Sequence, residues 1–119
     1  MAIISINTPG EEANKFARRS EIKDVLSLFF DDIEYDEEKG IFMTEEDADK
    51  ILAFVDKCEK QNIDELWVHC DAGISRSAGV AGAILKILTG DDSQVFDSFA
   101  YCPNMHCYRT VLNQFYKGE

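Results

Sequence analysis

The stretch that most limits how this chain can fold is ELWVHCDAGISRSAGVAGAILKILTG, from Glu65 to Gly90. A short apolar run of strand length stops at Cys70, crosses a loop of small and polar residues, and enters an apolar helix that Gly90 closes. A strand feeding a helix through so tight a loop belongs to an α/β architecture. In open sheets of that kind, ligands sit beyond the carboxyl ends of the strands. Cys70 stands at such an end.

The loop has a definite chemistry. Gly73 lets the backbone take conformations that side chains forbid. A loop entering a helix N-terminus can aim successive N–H groups at one point and so bind an anion. The same partial positive charge favours a thiolate at Cys70. Arg76, six residues on, brings a planar fork that matches two phosphate oxygens. Asp71, Ala72, Gly73, Ile74, Ser75 and Arg76 therefore read as a phosphate cradle around a nucleophile. Ser77 is placed to hydrogen-bond the thiolate and ease its departure from a phosphocysteine.

The rest of the chain supplies the remaining layers. AIISIN (Ala2 to Asn7) reads as a strand ended by the turn signal TPG, and VLSLFF (Val25 to Phe30) as a second strand. Between them, EEANKFARRSEIK is weakly helical in pattern. Acidic DDIEYDEEKG follows the second strand as a loop. Thr44 and Asp47 have capping-box spacing, and Ala48, Ile51, Leu52, Val55 and Cys58 fall on one helical face. DSQVFDSFA and MHCYRTVLNQFY predict two more helices, the second starting after Pro103 and Asn104. The expectation is a single domain over residues 1–119, a small, mainly parallel sheet flanked by helices.

Composition removes other classes. A net charge of −11 on 119 residues repels polyanions, which argues against nucleic acid and anionic membrane as partners. The opening residues lack a basic segment and a long apolar run, so neither a signal peptide nor a membrane span is expected. A cytoplasmic chain with reduced cysteines is the expectation that follows. Cys58, Cys102 and Cys107 read as structural. Cys102, His106 and Cys107 have poor metal-ligand spacing, and His106 reads as a surface residue.

The string HCDAGISRS, His69 to Ser77, resembles the signature of the protein tyrosine phosphatase superfamily: His-Cys, five residues, Arg, then Ser or Thr. PNMHCYRTVLNQFY resembles the element and trailing helix that follow the signature in the compact, dual-specificity-like, small bacterial and phage-type branch. That resemblance implies the phosphatase fold and two-step hydrolysis of a phosphorylated protein or peptide, without metal or organic cofactor. Phosphotyrosine is the expected ester, with phosphoserine and phosphothreonine as further ones. His69 and Asn104 would then support the loop from behind, His69 by tuning Cys70. Two other readings share a cysteine loop: a catalytically weak phosphate-binding module, and a rhodanese-like or arsenate-reducing thiol enzyme. Ser77 and a separate upstream aspartate argue against the latter.

Expelling an alkoxide or phenoxide needs an acid, and activating water needs a base. The resemblance implies an aspartate on a loop before the cysteine, and FFDDIE directly follows the second strand. Asp31 and Asp32 are neighbours, so in extended backbone only one faces the pocket. Compact members place the aspartate just before an aliphatic residue, which selects Asp32. Asp31 and Asp36 are the alternatives.

Overall fold

The computed structural model describes residues 1–16, 21–35, 39–71 and 73–118. Three parallel strands, β1 (Ala2–Asn7), β2 (Asp24–Phe29) and β3 (Leu66–His69), pair in the order β2-β1-β3. β1 is central and buried along its whole length, as an unbroken apolar and small-residue run requires. Its Ile4 and Ile6 face a core shared with Leu28, Phe30, Ile51, Val80 and Val111.

That face is covered by α1 (Glu45–Lys60), α2 (Arg76–Thr89) and α4 (Met105–Lys117), while α3 (Ser93–Phe96) is a single turn against α2. Thr44 caps α1 in the predicted reciprocal box with Asp47, and Gly90 ends α2 in the left-handed region at φ 78°. α2 and α4 approach closely because Gly79 carries no side chain. A Cβ there would lie 2.4 Å from the Asn104 carbonyl oxygen and 3.1 Å from Cys107 Cβ.

The opposite face is crossed by the segment after β1. There the predicted weak helix is absent over residues 11–16, which are irregular, and the expectation over 17–20 lies outside the described residues. Tertiary bonds hold this segment instead, with the Asn14 N–H donated to Asn7 Oδ1 at 2.9 Å and Phe16 packed edge-on to His69. The predicted helix over DSQVFDSFA shrinks to Ser93–Phe96. Its remainder is a loop whose Cys102 N–H bonds the Ile74 carbonyl at 3.0 Å. On α1, Phe54 is buried while Leu52 is only partly so, which rotates the apolar face slightly from the predicted one.

The chain moves from β1 outward to β2, then back across β1 to β3. The strand order therefore reverses direction at β1, and a crevice opens beyond the carboxyl ends. Thr8, Phe30 to Asp32, and Cys70 all emerge there. No described helix is long and apolar enough to cross a membrane.

Candidate active site

Cys70 leaves β3 and turns under the N-terminus of α2, where it is buried. Its Sγ lies 3.2 Å from Ser77 Oγ and accepts the Ser77 N–H at 3.3 Å. Burial works against the charged thiolate. The Ser77 hydroxyl and N–H, the Gly73 N–H and the Arg76 charge together outweigh burial, and the thiol pKa lies below its ordinary value. Gly73 takes φ 68°, the left-handed conformation the turn requires. Among the described residues, no protein acceptor takes the N–H of Ile74 or Ser75. Ala72 lies outside them.

Arg76 opens α2 and is 7% exposed, unusually buried for arginine. Nη1 donates to the Phe30 carbonyl at 2.8 Å, which ties the guanidinium to the end of β2. Nη2 lies 3.6 Å from Asp71 Oδ2. Asp71 is gripped in turn by the Thr8 hydroxyl and, at 3.5 Å, by Asn14 Nδ2. The Thr8 bond, followed by those of Asn14 and Arg76, holds the Asp71 carboxyl below its ordinary pKa despite slight burial.

The two adjacent aspartates point to different partners. Asp31 turns back on its own loop: its N–H donates to the Ile41 carbonyl at 2.8 Å, and Oδ2 accepts the Ile41 N–H at 2.7 Å. Asp32 turns toward the cradle. Its Oδ1 accepts from Ser75 Oγ and from Asn104 Nδ2, both at 2.8 Å, and no described donor occupies Oδ2. Asp36 lies outside the described residues.

Asn104 is fully buried and joins three parts. Its Oδ1 caps α4 by accepting the Cys107 N–H at 3.0 Å, and its Nδ2 holds Asp32 and the Ile33 carbonyl. Its own N–H donates to the Ser75 carbonyl at 2.9 Å. Asn104 thus bonds the loop backbone at Ser75, the Asp32 carboxylate and the start of α4 together.

His69 is different. Its side chain points to the opposite face of β3 from Cys70, exposed and packed on Phe16, and its ring makes no hydrogen bond among the described residues. Consecutive strand residues alternate faces, so the residue before the cysteine cannot reach the thiol's side. The expectation that His69 tunes Cys70 from the core is corrected accordingly. His106, read as a surface residue, is instead half-buried. It stacks on Phe42 at 3.5 Å between ring centroids and bonds the Met43 carbonyl at 2.8 Å.

Cys107 is buried beneath the site, and burial, then the Asp32 charge, push its thiol pKa upward. Cys102 is exposed, and all four cysteines are free thiols. No group of His, Cys, Asp or Glu among the described residues could hold a metal.

Thr8, Asn14 and the Phe30 carbonyl were not legible as site groups in the sequence, and Ser75, read there as part of the cradle, was not foreseen as a donor to Asp32. The signal for Thr8 and Phe30 is position alone, since each stands just beyond a strand's carboxyl end, and nothing local marks Asn14.

The described chain superposes on a solved human protein titled tyrosine phosphatase-like serine/threonine/tyrosine-interacting protein, with a TM-score of 0.66. The alignment covers 98% of this chain and 76% of that one, at 20% identity. The fold is tyrosine phosphatase-like. Neither a protein-family model nor a curated protein sequence matches this chain. At that identity the likeness concerns the path of the backbone, and the chemistry rests on the residues themselves.

Proposed function

We propose that this chain is a cysteine-dependent phosphatase of phosphomonoesters on proteins or peptides, with phosphotyrosine as the principal ester and phosphoserine and phosphothreonine within its reach. The observation that carries this is the meeting of Cys70, Ser77, Arg76 and Asp32 around one loop, through the contacts at 3.2 Å to Ser77 and 2.8 Å from Ser75 to Asp32.

In the first step the Cys70 thiolate attacks phosphorus. An S–P bond forms as the ester P–O bond breaks, and Asp32 gives its proton to the leaving oxygen. Both donors to Asp32 sit on Oδ1, so Oδ2 is left to carry and release that proton. Arg76 and the loop N–H groups match the charge on the equatorial oxygens. In the second step Asp32 takes a proton from water, the water oxygen attacks phosphorus, and the S–P bond breaks. The Ser77 hydroxyl stabilises the departing thiolate, releasing inorganic phosphate.

Release of phosphate from phosphotyrosyl, phosphoseryl and phosphothreonyl peptides tests the reading. Wild-type protein should release it, fastest from phosphotyrosine. Cys70→Ser should not turn over, yet should still bind vanadate, because Arg76 and the N–H groups remain. Turnover by Cys70→Ser above a few per cent of wild type would remove Cys70 as the nucleophile.

A further inference from the structure

Three neighbouring segments are hydrogen-bonded to the cradle and form its rim. Residues 8–14 join it through Asp71, residues 31–35 through Asp32, and residues 97–104 through Cys102 and Asn104. With the cradle itself, residues 70–77, these segments hold seven carboxylates and a single cation, Arg76. Among the described residues, no other lysine or arginine pairs with any of them. Lys15, next in sequence, lines a groove with Phe16 and Val25 on the second face of the sheet.

The one cation is itself partly answered. Arg76 spends Nη1 on the Phe30 carbonyl, and Nη2 has the Asp71 carboxylate 3.6 Å away. Thr8 and Asn14 hold Asp71 in that place, so its charge is a fixed part of the pocket. A dianion in the cradle therefore meets one arginine with a carboxylate at its side. Any further negative charge on the ligand would meet Asp71, Asp32 or the exposed Glu11 and Glu12 without a described cation to balance it.

We infer that the cradle selects phosphate esters by the charge around them. It takes a single phosphoryl group flanked by lysine or arginine in a peptide and disfavours polyanions, and Asp71 is the residue that sets this preference. The inference rests on the phosphate-binding reading above and narrows its substrate class.

The test measures binding to the Cys70→Ser chain by calorimetry, so it does not depend on turnover. Two phosphotyrosyl peptides differ only in flanks of lysine or glutamate, and each is titrated at low and at high salt. The lysine-flanked peptide should bind about tenfold more tightly at low salt, the size expected of a unit charge contact near solvent. High salt should narrow the gap. Adding Asp71→Asn, which keeps an oxygen for the Thr8 hydroxyl but removes the charge, should shrink the ratio about threefold or more by tightening the glutamate-flanked peptide. A merely structural role for Asp71 would weaken both peptides alike.

In parallel, wild-type protein is given a small aryl phosphate. Hydrolysis of that ester with equal binding of the two peptides would overturn the inference and leave the phosphatase reading standing. Neither hydrolysis nor binding would overturn that reading and the inference with it. A ratio unchanged by Asp71→Asn would overturn the assignment to Asp71.

Discussion

Asn104 Nδ2 donates to Asp32 Oδ1 at 2.8 Å, so the residue that caps α4 also fixes the carboxylate opposite the cradle. The geometry of the acid loop is thereby coupled to the helix that packs behind α2.

Asn104→Ala removes the cap and both donors at once. Losing a cap costs about 1 kcal/mol, which for a domain of this size lowers Tm by about 4 °C. Turnover of esters with poor leaving groups should fall further than turnover of activated aryl esters, because a loose Asp32 harms protonation most. Asn104→Asp keeps the cap but sets a second carboxylate beside Asp32. That variant loses the amide donor to Asp32 but not the cap, so it should keep most of the Tm while losing rate on poor leaving groups. A folded Asn104→Ala protein with wild-type rates on every leaving group would break the proposed coupling.

The adjacent aspartates separate by leaving group. Asp32→Asn should lose about 10² to 10⁴ in rate on alkyl phosphates and little on esters of acidic phenols. Asn in that place still offers Oδ1 to Ser75 and Asn104 but has no proton to give from the other arm. Asp31→Asn should leave both rates nearly intact, since its amide oxygen can still accept the Ile41 N–H. The reverse pattern would transfer the acid role to Asp31.

Gly79→Ala sets propensity against packing. On an open helix surface the change would stabilise by about 1 kcal/mol. Here the added Cβ would stand 2.4 Å from the Asn104 carbonyl oxygen, a backbone atom that cannot swing aside. The clash wins: a net loss of about 1–3 kcal/mol is expected, read as a lower midpoint in urea with the slope unchanged. A rise in the midpoint would mean that α2 and α4 are farther apart than described.

Much of this was legible in the chain because local and tertiary signals agreed. The run HCDAGISRS carries much of its own geometry: Cys70, Gly73 and Ser77 meet within seven positions, while Arg76 needs the distant Phe30 carbonyl to hold it. Thr44 and Gly90 announce helix ends through equally local contacts. What the sequence hid depends on contacts far apart in the chain. Asp71 meets Thr8 across 63 positions, and Asp32 meets Asn104 across 72, and no period or spacing encodes such a pairing. His69 was misplaced because the motif carries it beside the cysteine, while strand alternation, also written in the sequence, sends it to the other face.

The last prediction concerns the thiol itself. Only the thiolate is alkylated, so a lowered pKa moves the half-point of the iodoacetamide rate–pH curve to lower pH than that of an ordinary thiol. Burial raises the Cys70 pKa, and the Ser77 hydroxyl is the largest of the contacts that more than offset it. Ser77→Ala should therefore shift the half-point upward, and Ser77→Thr, which keeps a hydroxyl, should restore it. The measurement uses a Cys102→Ser background, because Cys102 is exposed and would react as well. Cys107 is buried with its thiol pKa pushed up, and should stay silent across the neutral range. Inorganic phosphate should slow alkylation by filling the cradle, in wild type and in Ser77→Ala alike, since Arg76 and the loop N–H groups are untouched. A half-point that does not move in Ser77→Ala would show that the hydroxyl does not stabilise the thiolate. Protection by phosphate without that shift would then assign the thiolate's stability to Arg76 and the backbone alone.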